Sequence, residues 1–169
     1  MRTVAVVVAV SLLIFSGCGK SKPPERTTAG LTYSLTPPEG FAVFADNGNT
    51  VTYTPGGVLV QPGEPRMVLM RTDKVFMRDE RVREAGPEQF IRDLLDAPRG
   101  FVTVPVTIDG MSGYEATAVA SKDGLDLEAY CAKVYCADGT FTIVGYCAGE
   151  DAKAHVREFR AAAATLTVR

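Results

Sequence analysis

The stretch from Leu125 to Leu166 constrains the fold most. It reads as a strand over Asp126–Ala137, a turn at Asp138-Gly139, a strand over Thr140–Cys147 and a helix over Glu150–Ala164. Asp-Gly between two apolar-rich runs is a hairpin signal, because a two-residue type I′ loop needs φ > 0 at both central positions. The helix carries Ala152, Val156, Phe159, Ala163 and Leu166 at i, i+4, i+7, i+11 and i+14, which makes one apolar stripe. A hairpin with a helix across it is already a small core, and the preceding strands have to extend it.

Those strands follow from alternation and punctuation. Leu31–Leu35 alternates apolar and polar residues, and Thr36–Gly40, with Pro37 and Pro38, breaks it. Phe41–Phe44 is an apolar plug before the turn Asp46–Asn49. That turn lacks the further acidic ligands and distal Glu of a calcium loop. Thr50–Thr54 is β-prone. Val58–Val60 sits between Pro55-Gly56-Gly57 and Gln61–Pro65 and reads as an exposed loop. The glycine pair lacks the Lys-Ser/Thr of a phosphate loop. Arg66–Thr72 is apolar on both faces, as a central strand would be. Lys74–Glu84 is dense in mixed charge, either a solvated face or an interaction surface. Gly86-Pro87-Glu88 predicts a helix start with Pro at its first position, buried through Phe90, Ile91, Leu94 and Leu95 and stopped by Pro98 and Gly100. Phe101–Ile108 and Met111–Ala120 are strands joined at Asp109-Gly110, and Lys122-Asp123-Gly124 leads into the hairpin. The expected fold is α+β: a central antiparallel sheet of about six to seven strands with helices packed on it, in a single domain over residues 31–169.

The first thirty residues have a different character. Met1-Arg2-Thr3 is a short positive n-region, and Val4–Phe15 is apolar apart from Ser11. Twelve residues fit a signal-peptide core and are too few for a span of about 20. Phe15-Ser16-Gly17-Cys18 follows. It resembles the lipobox of bacterial lipoproteins, with Phe15 where an aliphatic residue is usual. The resemblance implies removal of residues 1–17 and acylation of Cys18 by diacylglycerol and palmitate-type chains. Two or more chains on one Cys make stable anchoring. Gly19 follows the Cys where an inner-membrane retention signal would carry Asp, so either the cell membrane or a periplasm-facing outer membrane fits. Residues 18–30, with Pro23, Pro24, Gly19 and Gly30, read as the lipidated Cys and a flexible tether.

Little in the sequence suggests catalysis. The chain has no Trp and one His, and its formal net charge of −2 argues against nucleic acid as a partner. Asp93, Asp96 and Asp109 are the carboxylates a dispersed hydrolase would use, and each is explained as a helix or turn residue. Cys131, Cys136 and Cys147 remain after Cys18. Cys131 and Cys136 lie five apart on one strand and face opposite ways, about 16 Å apart at roughly 3.3 Å per residue, so they neither pair nor share a metal. In the hairpin register Tyr130 faces Cys147, and one bulge would bring Cys131 opposite Cys147. A Cys131–Cys147 disulfide and free buried thiols both remain open. The strand geometry scatters these thiols away from any zinc site with His155, which sits at the solvent edge of the last helix. No triad partner is readable for His155, and no cofactor is implied.

Tyr33–Phe41, Thr140-Phe-Thr-Ile143 and Phe159–Leu166, in this order around a mid-chain helix and antiparallel strands, are similar to the PsbP/Mog1/DcrB-type domain. The likeness spans residues 31–168. It implies an α/β/α sandwich and a binding or accessory module, since that group includes photosystem accessory proteins, a GTPase-binding factor and bacterial lipoproteins. Two functions are expected: a membrane-anchored module that docks a protein partner, or a carrier or sensor of a small apolar ligand in a pocket between sheet and helices, suggested by Met67, Met70, Met111 and the Phe and Tyr content.

Overall fold

The computed structural model describes residues 23–28, 31–73 and 79–169; the expected signal segment, Cys18 and the start of the charged run at Lys74 lie outside the described residues. The elements are β1 (Arg26–Thr28), β2 (Leu31–Ser34), β3 (Phe41–Asp46), β4 (Thr50–Pro55), β5 (Arg66–Asp73), α1 (Glu80–Leu94), β6 (Asp96–Ile108), β7 (Met111–Lys122), β8 (Leu125–Cys136), β9 (Gly139–Cys147), α2 (Ala152–Ala163) and β10 (Thr167–Val168). Seven strands form an antiparallel sheet in the order β3-β4-β5-β9-β8-β7-β6, and β1-β2-β10 form a small second sheet. One helix packs on each face of the large sheet, as expected.

β9 lies at the centre, and all nine of its residues are buried. Its alternation divides the core in two. Phe141 and Ile143 face α2 together with Val51, Met67 and Leu69, while Val144 and Tyr146 face α1 with Ile91 and Leu127. The stripe of α2 behaves as its spacing predicts: Ala152, Val156, Phe159 and Ala163 are buried, and so is Leu166, just past the end of the helix. Phe159 lies directly on Gly145 of β9, where a Cβ would stand 2.3 Å from Phe159 Cδ2 and 2.4 Å from Cγ. A glycine in the middle of a strand normally weakens it, but here the missing side chain is the seat of the aromatic ring.

α1 departs from expectation. It begins at Glu80, capped by Asp79, which accepts a hydrogen bond from Arg81 N at 2.9 Å, so Pro87 is inside the helix. A proline there deprives the carbonyl four residues back, Arg83 C=O, of its donor. Tyr135 of β8 replaces it, with its hydroxyl donating to Arg83 O at 3.3 Å. Gly86 makes room, since a Cβ there would come within 2.8 Å of that hydroxyl. Gly86-Pro87 is thus a docking point against the sheet, not a helix start. At the other end α1 stops before Pro98, at Leu94. Pro98 and Gly100 are absorbed into β6, an edge strand whose register shifts between Asp96 and Arg99 and again before Val102.

The opening hairpin also differs. Asp109-Gly110 and Asp123-Gly124 take positive φ at both residues (50° and 75°, 53° and 79°), as two-residue turns of this kind require. In the third pair the loop is Ala137-Asp138, and Gly139 already belongs to β9, opposite Cys136. Glycine is needed at 139 because a Cβ would lie 2.5 Å from Thr72 O on β5. This register corrects the cysteine expectation. Cys147 faces Glu128 and Cys131 faces Val144, so the two thiols stand three positions apart on opposite faces of the sheet. A bridge between them is out of reach, and Cys131, Cys136 and Cys147 are free.

Two further segments are more ordered than expected. Within the expected tether, Arg26–Thr28 pairs with β2. The apolar plug is an edge strand, β3, whose last five residues are exposed.

The seating of Phe159 predicts that Gly145→Ala is far more disruptive than an ordinary small-to-large change, which costs about 1–3 kcal/mol. Chemical denaturation of the variant should show a loss at or above the top of that range. A loss of only a few tenths would contradict the packing described.

Candidate functional site

The sandwich is incomplete, and this shapes its surfaces. α1 packs across β6, β7 and β8, whereas α2 packs across β8 and β9. Among the described residues the outer strands β6 and β7 therefore carry no helix on the α2 face. The register places Val102 beside Thr117 and Tyr130, and Val104 beside Glu115 and Ala132, all on that face. Val102 is 60% exposed and Val104 40% exposed.

Where α2 ends and the open face begins, a polar cluster fixes the helix to the sheet. Glu115 is buried on β7. Its carboxylate accepts from the Tyr130 hydroxyl at 3.0 Å and pairs with Arg160 Nε of α2 at 2.9 Å. The Arg160 guanidinium also lies 5.7 Å from the Tyr130 ring centre. Burial, then the Glu115 charge, raises the Tyr130 hydroxyl well above its usual range, so it stays a donor. The carboxylate is thus committed to structure, and the valines beside it rest on a rigid floor.

Among the described residues, two open clefts of ligand size stand out. One, about 380 Å³, runs along α1 between Val82, Ala85, Gly86, Phe90 and Lys133. The other, about 360 Å³, lies between Pro23, Pro24, Pro38, Phe41, Val43 and Tyr53. The methionines that suggested a pocket line neither: Met67 and Met111 belong to the α2-side core, and Met70 packs against the α1-side core.

The expected catalytic candidates do not converge. Asp93 accepts from Gln89 Nε2 at 2.7 Å on the exposed side of α1. Asp96 opens β6, and Asp109 at the β6–β7 turn accepts from Val168 N at 2.7 Å, tying down β10. His155 Nδ1 lies 2.8 Å from Glu158 on the outer part of α2, and its ring stacks on Phe159. Among the described residues no group of three His, Cys, Asp or Glu side chains is placed to hold a metal. Burial pushes the Cys131 thiol up to about 12. Burial, with the Glu128 and Glu158 charges, pushes Cys147 up to about 11. Neither is a nucleophile at neutral pH. The open valine face and the α1 cleft are what the sequence did not single out. The only signal for the first was Val102-Thr-Val104-Pro-Val106, a β pattern that does not say which face stays uncovered.

With this geometry in hand, comparison with solved structures shows the fold. It is similar to LpqN, involved in cell envelope biogenesis of Mycobacterium tuberculosis, at 13% identity and a TM-score of 0.62 over 82% of this chain and 83% of that one. It is also similar to the Ran-binding protein Mog1p of Saccharomyces cerevisiae, at 10% identity and a TM-score of 0.52 over 86% and 94%. A protein of unknown function from Pseudomonas aeruginosa matches at 13% identity and a TM-score of 0.53 over 72% and 83%. At such identities the likeness concerns architecture alone, and the Mog1-type sandwich is met at that level. No family model matches the chain, and no curated protein matches its sequence.

The raised thiols predict alkaline sensitivity. The unfolded chain ionises them near their usual 9.0, while the fold holds Cys131 protonated to about 12 and Cys147 to about 11. Their contribution is complete below pH 9 and fades as pH rises towards 11 to 12, at up to about 1.4 kcal/mol per pH unit for each proton. Urea midpoints should fall above pH 9, less steeply in Cys131→Ala. A midpoint that holds to pH 11 would contradict the burial.

Proposed function

We propose that the protein is a lipid-anchored cell-envelope lipoprotein whose domain is a non-catalytic binding or accessory module for a protein partner. The anchor rests on the sequence: charged start, twelve-residue apolar core, and Ser16-Gly17-Cys18. The fold likeness to LpqN is consistent with an envelope setting, and the likeness to a Ran-binding protein with a scaffold that can present a protein-docking face. The observation that carries the docking proposal is the pair Val102 and Val104. They are exposed on the helix-free half of a rigid sheet, beside a charge cluster whose bonds are already made. Exposed aliphatic side chains on a fixed floor suit partner association, which gains from apolar burial without ordering new chain.

Crosslinking in intact membranes followed by affinity capture tests this. The wild-type chain should recover a specific envelope protein, and Val102→Asp with Val104→Asp should reduce that recovery at least about tenfold, as loss of a hot spot worth 1.4 kcal/mol or more would. Recovery unchanged by the double variant would overturn the assignment of this face, and no specific capture would overturn the docking reading.

A second reading, carriage of a small apolar ligand, is favoured by the 380 Å³ cleft along α1, which falls within the usual range of about 300–1,000 Å³ for ligand sites. A fluorescent fatty acid should bind and be lost in Ala85→Trp, which fills the cleft from an exposed position. Binding that survives this substitution would remove the reading.

A further inference from the structure

Among the described residues, eight large hydrophobic side chains are exposed, and four of them lie at the β3 edge of the sheet, on its two sides: Val43 (40%), Phe44 (41%), Val58 (61%) and Leu59 (73%). They come from two segments, edge strand β3 and the loop after β4. The loop is held against the strand, because a Cβ at Gly57 would stand 3.0 Å from Val43 O and 3.1 Å from Ala42 Cβ. Thr54 Oγ1 donates to Val58 O at 2.7 Å, fixing the turn. Val60 is buried, so it anchors the loop while Val58 and Leu59 are left outside. Nothing in the core uses these two side chains.

The same edge is where the described chain begins. Pro23 and Pro24 share the cleft of Phe41, Val43 and Tyr53. Five peptide steps separate Pro23 from Cys18, a reach of about 18 Å at most. If Cys18 carries acyl chains, this edge of the domain cannot stand far from the bilayer. Lys20 and Lys22 fall within that span and suit an anionic headgroup layer.

We propose that Val43, Phe44, Val58 and Leu59 form a lipid-contacting edge that rests on the bilayer surface beside the anchor. This inference rests on the lipoprotein reading above and adds an orientation to it. The β3 edge is membrane-proximal, and β6, the opposite edge of the sheet, is held about 29 Å away at roughly 4.8 Å per strand. The face bearing Val102 and Val104 is then presented away from the lipid. The occupant is lipid because the tether delivers this edge to the bilayer whatever else the domain binds. Apolar tips that enter the interface by about 5–10 Å need no further partner.

The chain has no Trp, so one introduced Trp is the only emitter of its kind. Mature full-length protein would be placed in vesicles of phosphatidylcholine and phosphatidylglycerol, with and without doxyl-labelled phosphatidylcholine. Leu59→Trp and Phe44→Trp should each show a blue shift and about a twofold quench at interfacial depth. Val102→Trp, exposed to an intermediate degree (60%) but on the far edge, should show neither. A mass spectrum of each preparation reads the state of Cys18. Acylated protein with unquenched Leu59→Trp, or with Val102→Trp quenched as strongly, overturns the docking orientation and leaves the anchor standing. Protein without lipid at Cys18 overturns the anchor and this proposal with it.

Discussion

A benzyl ring lying on bare backbone holds this fold together. Phe159 of α2 sits on Gly145 in the central strand, and nothing larger than a hydrogen could occupy the space between. Burying such a side chain contributes roughly 2–3 kcal/mol, but its position matters more than that figure. β9 is hydrogen-bonded to β5 on one side and β8 on the other, so anything that fixes β9 fixes both halves of the sheet. Phe41 meets the edge of Phe159 at 6.1 Å between ring centres, and Tyr33 meets Phe141 at 5.3 Å. Through these contacts β2 and the edge strand β3 are recruited to a core that the last forty residues had already built.

The other face is secured differently. There the sheet reaches up to the helix: Tyr135 satisfies the carbonyl that Pro87 leaves without a donor. The two helices cover different parts of the sheet. α1 lies over β6 to β8, and α2 lies over β8 and β9. The offset leaves apolar sheet surface open beside α2, and the edge strand β3 exposes its own side chains. Asp93, Asp109, Glu115 and His155 are taken up in hydrogen bonds or ion pairs, and Cys131 and Cys147 in the core. The roles proposed for it are contacts made by shape and by exposed apolar surface.

Much of this was legible in the sequence for simple reasons. The stripe on α2 and the alternation of β9 are local periodicities, and burial follows them closely. Two of the three Asp-Gly pairs adopt the turn their chemistry favours. The third does not, because Gly139 answers to Thr72 on a strand sixty-odd residues earlier, and no local rule reports a neighbour so distant in sequence. That shift moved the hairpin register and with it the relation of Cys131 to Cys147. The start of α1 is hidden from local rules for the same reason, since Pro87 sits mid-helix with the help of a tyrosine from β8. The run Phe15–Cys18, on which the proposed anchor rests, is legible only in the sequence. The open valine face is not legible there, because which side of β6 stays bare depends on where a helix far along the chain comes to lie.

If the Phe159–Gly145 contact is the keystone, the β8–β9–α2 unit should be the last part to open. Native-state hydrogen exchange, resolved by residue, measures this directly. The account predicts that amides of residues 141–145 exchange only through global unfolding, while those of β1 and β3 exchange through cheaper local openings. Faster exchange in the central strand than in β3 or β6 would contradict it.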